Sequence, residues 1–89
     1  MENNKCIDYA RHAIGLDHKK PYKRHGKMFY KPYRNYFCCE EDNEIWLELE
    51  SFGCAGHENT SHGCIYYLTQ KGLHWLGRTI GVKIYEIED

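Results

Sequence analysis

The chain has 89 residues, 12 Lys and Arg against 13 Asp and Glu for a net charge of −1, and 42% hydrophobic residues including eight Tyr, three Phe and two Trp. This is too apolar and aromatic for a disordered tract, and the length suits one small domain that buries roughly 60% of the surface its unfolded chain exposes. No apolar run approaches the ~18 residues of a membrane helix, the polar start Met1-Glu2-Asn3-Asn4-Lys5 shows no targeting segment, and an odd count of five Cys (6, 38, 39, 54 and 64) reads as free thiols in a reducing, cytoplasmic setting.

The first predicted element is a helix over 4–15. Cys6, Ile7, Ala10, Ala13 and Ile14 recur at three- and four-residue steps and share one face. Gly15 supplies a stop, Leu16 can fold back on it, and Arg11 and His12 suit the negative end of the helix. Residues 17–37, DHKKPYKRHGKMFYKPYRNYF, then hold both prolines, Pro21 and Pro32, each followed by Tyr. A proline disfavours helix at the residue before it. Met28-Phe29-Tyr30 reads as a short strand, and Tyr33 to Cys39 as a helical turn or short helix.

A second helix is expected over 43–52, capped by Asp42 or Asn43, with Ile45, Trp46, Leu49 and Phe52 as its apolar stripe and Gly53 as its stop. Cys54 to Gly63 reads as a polar loop and Cys64 to Leu68 as a strand. Thr69 caps a third helix, 70–80, with Leu73, Trp75, Leu76 and Ile80 as apolar positions. Gly72 and Gly77 weaken that helix by about 1 kcal/mol each relative to Ala. They point either to close approach of another element or to plain tolerance. Gly81 ends the helix, Val82 to Ile87 is a last short strand, and Glu88-Asp89 is a solvated tail.

The order helix, Gly turn, polar loop, strand, then Leu68-Thr69-x-x-Gly72-x-x-Trp75-Leu76, within IWLELESFGCAGHENTSHGCIYYLTQKGLHWLG, resembles the second half of winged-helix domains. The resemblance implies a small α+β fold with three helices, a small antiparallel sheet and a two-stranded wing spanning His57 to His62, placed near a minor groove if a duplex binds. The first half departs from that pattern, since the prolines and the Tyr/Lys-rich stretch stand where a helix-turn-helix should run. The segment RHGKMFYKPYRNYF also resembles a stretch in small uncharacterised proteins of phages and mobile elements of Gram-positive bacteria. That resemblance implies a host-takeover, regulatory or anti-defence setting and supplies no mechanism.

Charge is split along the chain. Residues 1–39 carry nine Lys/Arg and three Asp/Glu, and residues 40–89 carry three and ten. Seven of the cations lie between Lys19 and Arg34, and no acid lies between Asp17 and Glu40. Cations neutralise phosphates and release counterions, while Tyr and Phe rings stack on unpaired bases at about 1–3 kcal/mol per base. Lys19, Lys20, Lys23, Arg24, Lys27, Lys31 and Arg34 are therefore the candidate phosphate contacts, with Tyr22, Tyr30 and Tyr33 as rings that stack or hydrogen-bond. The plainer alternative is a solvated loop whose tyrosines pack into a small core.

Two further constellations stand beside this one. Cys54, His57, His62 and Cys64 are all zinc-ligand types at the spacing C-x2-H-x4-H-x-C, which would staple a small domain, or they are a polar loop flanked by two buried thiols. Glu40, Glu41, Asp42, Glu44, Glu48 and Glu50 would imitate phosphates toward a basic groove, or form a solvated helix face. No nucleophile motif, phosphate loop or H-E-x-x-H occurs, and a chain this short has little room for a pocket of ~300 Å³.

The expectation is thus a single domain over 1–89 that acts without catalysis or cofactor. It binds nucleic acid, DNA ahead of RNA, as a regulatory module of phage or mobile-element type. The runner-up is an inhibitor of a host nucleic-acid-binding protein such as a defence nuclease, in the manner of an anti-CRISPR or other anti-defence factor. A structural zinc module is third.

Overall fold

The computed structural model describes residues 4–16, 19–39 and 43–85. Helix α1, Asn4–Ala13, buries Cys6, Ala10 and Ala13 along one stripe, as the spacing predicts. Its end is closed by the Leu16 amide donating to the Arg11 carbonyl at 2.9 Å, with Leu16 buried.

The basic segment is mostly β-structure. Strands β1, Tyr22–Arg24, and β2, Lys27–Tyr30, form an antiparallel hairpin joined by His25 and Gly26. Both turn residues have positive φ, 52° and 76°. That is the backbone of the tightest hairpin turns, whose twist matches the flanking strands, and glycine takes it at no steric penalty. The segment Tyr33 to Cys39, expected as a helical turn or short helix, holds no helix. Phe37–Cys39 is strand β3 and pairs with Cys64 to Tyr66. Neighbouring strand edges decided this, because the Tyr33, Tyr36, Phe37 spacing suits a helix face equally well in isolation.

Helix α2, Glu44–Ser51, starts at Asn43, whose side chain accepts the Ile45 and Trp46 amides at 3.0 and 3.3 Å. Trp46 and Leu49 are buried and Ile45 half-buried, but Phe52, expected on the same stripe, is 47% exposed. It lies past the last helical turn, where the stripe no longer faces the core. The expected polar loop is strand β4, Ala55–Thr60, paired along its whole length with β5, Gly63–Leu68. An edge strand with polar side chains needs only the ladder, not alternating apolar residues.

Helix α3, Gln70–Ile80, is capped by the Thr69 hydroxyl accepting the Gly72 amide at 3.2 Å, and ends at Gly81. Gly72 lies against the Cys54 carbonyl oxygen so closely that a Cβ would overlap it, and Gly77 lies similarly against Val82. Close approach, not tolerance, explains both glycines. The last described strand, β6, Lys83–Ile84, runs parallel to β2.

Among the described residues two three-stranded sheets result, β1-β2-β6 with one parallel pair and β3-β5-β4 wholly antiparallel. The expectation of one small antiparallel sheet is replaced by this pair. Helix α1 packs on α2 and α3, all three helices pack on β3-β5-β4, and α3 also reaches β6, so it bridges the sheets. The core holds Ile14, Trp46, Leu49, Tyr66 and Leu76 with the thiols of Cys6 and Cys54. A column of rings runs through it, Tyr9 to Phe37 at 5.2 Å, Phe37 to Trp46 at 5.5 Å and Trp46 to Tyr66 at 5.6 Å. Asp42 as a cap, the acids Glu40 and Glu41, the strand's end at Ile87 and the Glu88-Asp89 tail lie outside the described residues.

Candidate functional site

Register decides which of the basic-aromatic residues act together. Directly paired residues share a face of a sheet, and the face alternates along each strand. Tyr22 is opposite Phe29, and Arg24 is opposite Lys27. Phe29 is beside Lys83 in the parallel pair, and Tyr85 follows two residues later. Tyr22, Arg24, Lys27, Phe29, Lys83 and Tyr85 therefore belong to one face of β1-β2-β6. The rings confirm this. Tyr22 and Phe29 are 5.8 Å apart and nearly parallel, and Phe29 and Tyr85 are 6.1 Å apart and nearly parallel. Lys83 Nζ stands 5.4 Å from the Tyr85 ring centre. Tyr22 and Tyr85 are 49% and 39% exposed, so the stack faces solvent.

The opposite face is the inner one. Met28, Tyr30 and Ile84 pack on the core. Tyr30 is buried, and its hydroxyl donates to the Ile14 carbonyl at 2.7 Å. It has no ring face open to a ligand, which removes it from the expected stacking residues. Lys23 is exposed but belongs to the register that points away from the Tyr22 stack.

A second cluster gathers at the end of α1. The Tyr33 ring lies over Gly15, tightly enough that a Cβ there would overlap it. Lys19 Nζ sits 4.6 Å from the centre of that ring, and the Arg34 guanidinium sits 5.5 Å from it and 5.9 Å from Tyr36. Arg34 also donates to the His12 carbonyl at 2.8 Å. Cation–ring contacts of this kind are worth about 0.5–1 kcal/mol each when exposed, so the cluster also braces the chain after α1. Lys20 and Lys31 are exposed on the flanking loops. Among the described residues, none of Lys19, Lys20, Lys23, Arg24, Lys27 and Lys31 forms an ion pair.

Sequence reading missed Phe29, Lys83 and Tyr85 as members of this face. For Phe29 the signal was available, because Lys27-Met28-Phe29-Tyr30 alternates and places Phe29 with Lys27. For Lys83 and Tyr85 it was not, since only the β6–β2 pairing carries them there.

The Cys/His constellation does not converge. Among the described residues no three His, Cys, Asp or Glu side chains form a group able to hold a metal ion. The Cys64 thiol donates to Asn59 Oδ1 at 3.2 Å, His57 bonds Glu50, and His62 sits exposed in the β4–β5 turn. Cys54 is buried beneath α3, and burial raises its thiol above the ordinary value, partly offset by the nearby Lys71 charge. The acids of α2 are partly engaged inside the fold as well. Glu48 accepts the Cys6 thiol at 3.5 Å, and Glu50 holds His57.

Comparison with protein-family models, curated proteins and solved structures yields no match to this chain.

Proposed function

We propose that the protein binds single-stranded nucleic acid, without catalysis, on the solvent face of β1-β2-β6. The carrying observation is the row Tyr22–Phe29–Tyr85 interleaved with Arg24, Lys27 and Lys83 on one face. Aromatic rings exposed on a small sheet accept unpaired bases, and cations set among them neutralise the backbone between those bases. A purely structural aromatic pairing would stabilise the hairpin but would not need three cations on the same side.

Stacking and phosphate contact do not distinguish ribose from deoxyribose, so DNA and RNA strands are both expected ligands, and a duplex binds more weakly. The test is fluorescence anisotropy with labelled single strands and the matching duplex over a salt series. With about four phosphates neutralised, affinity for a strand should fall roughly 50-fold between 50 and 200 mM salt. The double variant Tyr22→Ala/Tyr85→Ala should lose at least about tenfold at fixed salt, in keeping with 1–3 kcal/mol per stacked base. Binding of no strand at low salt ends this reading. Capture of a single protein from nuclease-treated lysate in its place would favour the inhibitor role.

A further inference from the structure

Three shallow grooves lie in series beyond the aromatic face. One of about 490 Å³ opens at the hairpin tip and is lined by Lys27, Phe29 and Lys83 together with Gly81. A second, of about 330 Å³, shares Gly81 and Lys83 with the first and reaches His74 and Arg78. A third, of about 480 Å³, shares His74 and Arg78 with the second and continues past Trp75 to Lys71. The shared residues make them one path from the sheet along the outer side of α3.

The path keeps a single sign of charge. No Asp or Glu lines it among the described residues. Lys71, Arg78 and Lys83 form no described ion pair. Lys71, His74 and Arg78 are all exposed and fall at i, i+3 and i+7, one face of the helix over ~10 Å. Trp75 is half-buried between them and forms part of the groove wall. These three basic side chains come from the half of the chain that is acidic by composition.

We infer that a nucleic-acid strand leaving the aromatic face continues into this path, and that α3 is a second contact element. Lys71 and Arg78 neutralise its backbone there, and Trp75 meets a base. The inference rests on the proposed strand-binding role of the sheet and adds a direction of travel and a longer site. A polyanion is the occupant that fits, because the path begins on the proposed binding face and, among the described residues, offers cations without a carboxylate along its length.

Trp emission tests this directly, because Trp46 is wholly buried and Trp75 is the one tryptophan near the path. Oligothymidylates of about four and about twelve nucleotides, lengths that span common single-strand site sizes, are titrated at low salt. The longer strand should bind at least about tenfold more tightly and should quench Trp75. The Lys71→Gln/Arg78→Gln double variant should bring the longer strand's affinity down to that of the shorter one and leave the shorter one unchanged. Trp75→Phe should remove the emission change. Tight binding of the longer strand with constant Trp75 emission and no effect of the double variant overturns the inference and leaves the sheet reading standing. Failure of both lengths to bind overturns the two together.

Discussion

Gly72 marks the tightest approach to a neighbouring segment at any glycine among the described residues. It faces the Cys54 carbonyl, and that carbonyl already accepts the Thr69 amide at 3.0 Å. Neither side can move without breaking the start of α3. In an exposed helix, Gly→Ala gains about 1 kcal/mol. At this position the sign should reverse, and Gly72→Ala should lose about 1–3 kcal/mol of unfolding free energy, as overpacked sites do. Urea denaturation of the purified variant measures it, and an increase in midpoint would show that the contact is slack. The tyrosines teach the complementary lesson. Tyr22, Tyr30 and Tyr33 are chemically alike in the sequence, yet one belongs to the open stack, one to the core and one to a cation-braced turn. Composition shows that rings are abundant. Only strand register assigns each a side.

Among the elements, α1, α2, β5 and α3 were legible because each carries its own signal, an apolar stripe, a cap or a β-branched run. Strands β1, β3 and β4 were not, and for a common reason. Tyr22–Arg24 is exposed at all three positions, Phe37–Cys39 has three residues, and Ala55–Thr60 is polar beyond its first two. Each is a strand because a partner offers it a ladder. The β1–β2 turn still retains a local imperfection, since His25 rather than Asn occupies a left-handed position. Left-handed backbone is unfavourable for most side chains and better tolerated by Asn. His25→Asn should therefore stabilise the protein by roughly 0.5 kcal/mol and raise its thermal midpoint. Strand affinity should stay the same, because the aromatic face is untouched. A lowered midpoint would contradict the turn geometry.

For the whole molecule, the described cations of the acidic half do not stay apart from those of the basic half. Lys83 joins Arg24 and Lys27 on one sheet face, and Lys71 and Arg78 extend the same sign of charge along α3. The candidate site was visible in the sequence as a segment, but its outline was not, since Lys83 and Tyr85 join it from far along the chain. The thiols report on the integrity of the same fold. Cys38 is exposed, whereas Cys6, Cys54 and Cys64 are buried. Burial, the Glu48 hydrogen bond and the Glu48 charge all raise Cys6, and burial with the neighbouring thiols raises Cys39. Protonated thiols are poor nucleophiles. A thiol reagent at neutral pH should therefore label Cys38 rapidly, and Cys6 and Cys54 only as fast as the protein opens. Because folding raises these values, the associated stability is complete below the ordinary thiol value of 9.0 and is lost as pH climbs above it. Rapid modification of all five thiols in native buffer would contradict such a core.

The parallel pairing of Lys83–Ile84 with Phe29–Tyr30 has a consequence for biosynthesis. The hairpin emerges from the ribosome early, but its third strand is made only after α3. Until then Phe29 has lost its neighbour Tyr85, and the inner residues Met28 and Tyr30 have no Ile84 beside them. Contacts between segments so distant along the chain close slowly. A nascent chain should thus lack the assembled aromatic face that the proposal assigns to strand binding, and should gain it only gradually, after residues 83 to 85 have left the ribosome and paired with β2.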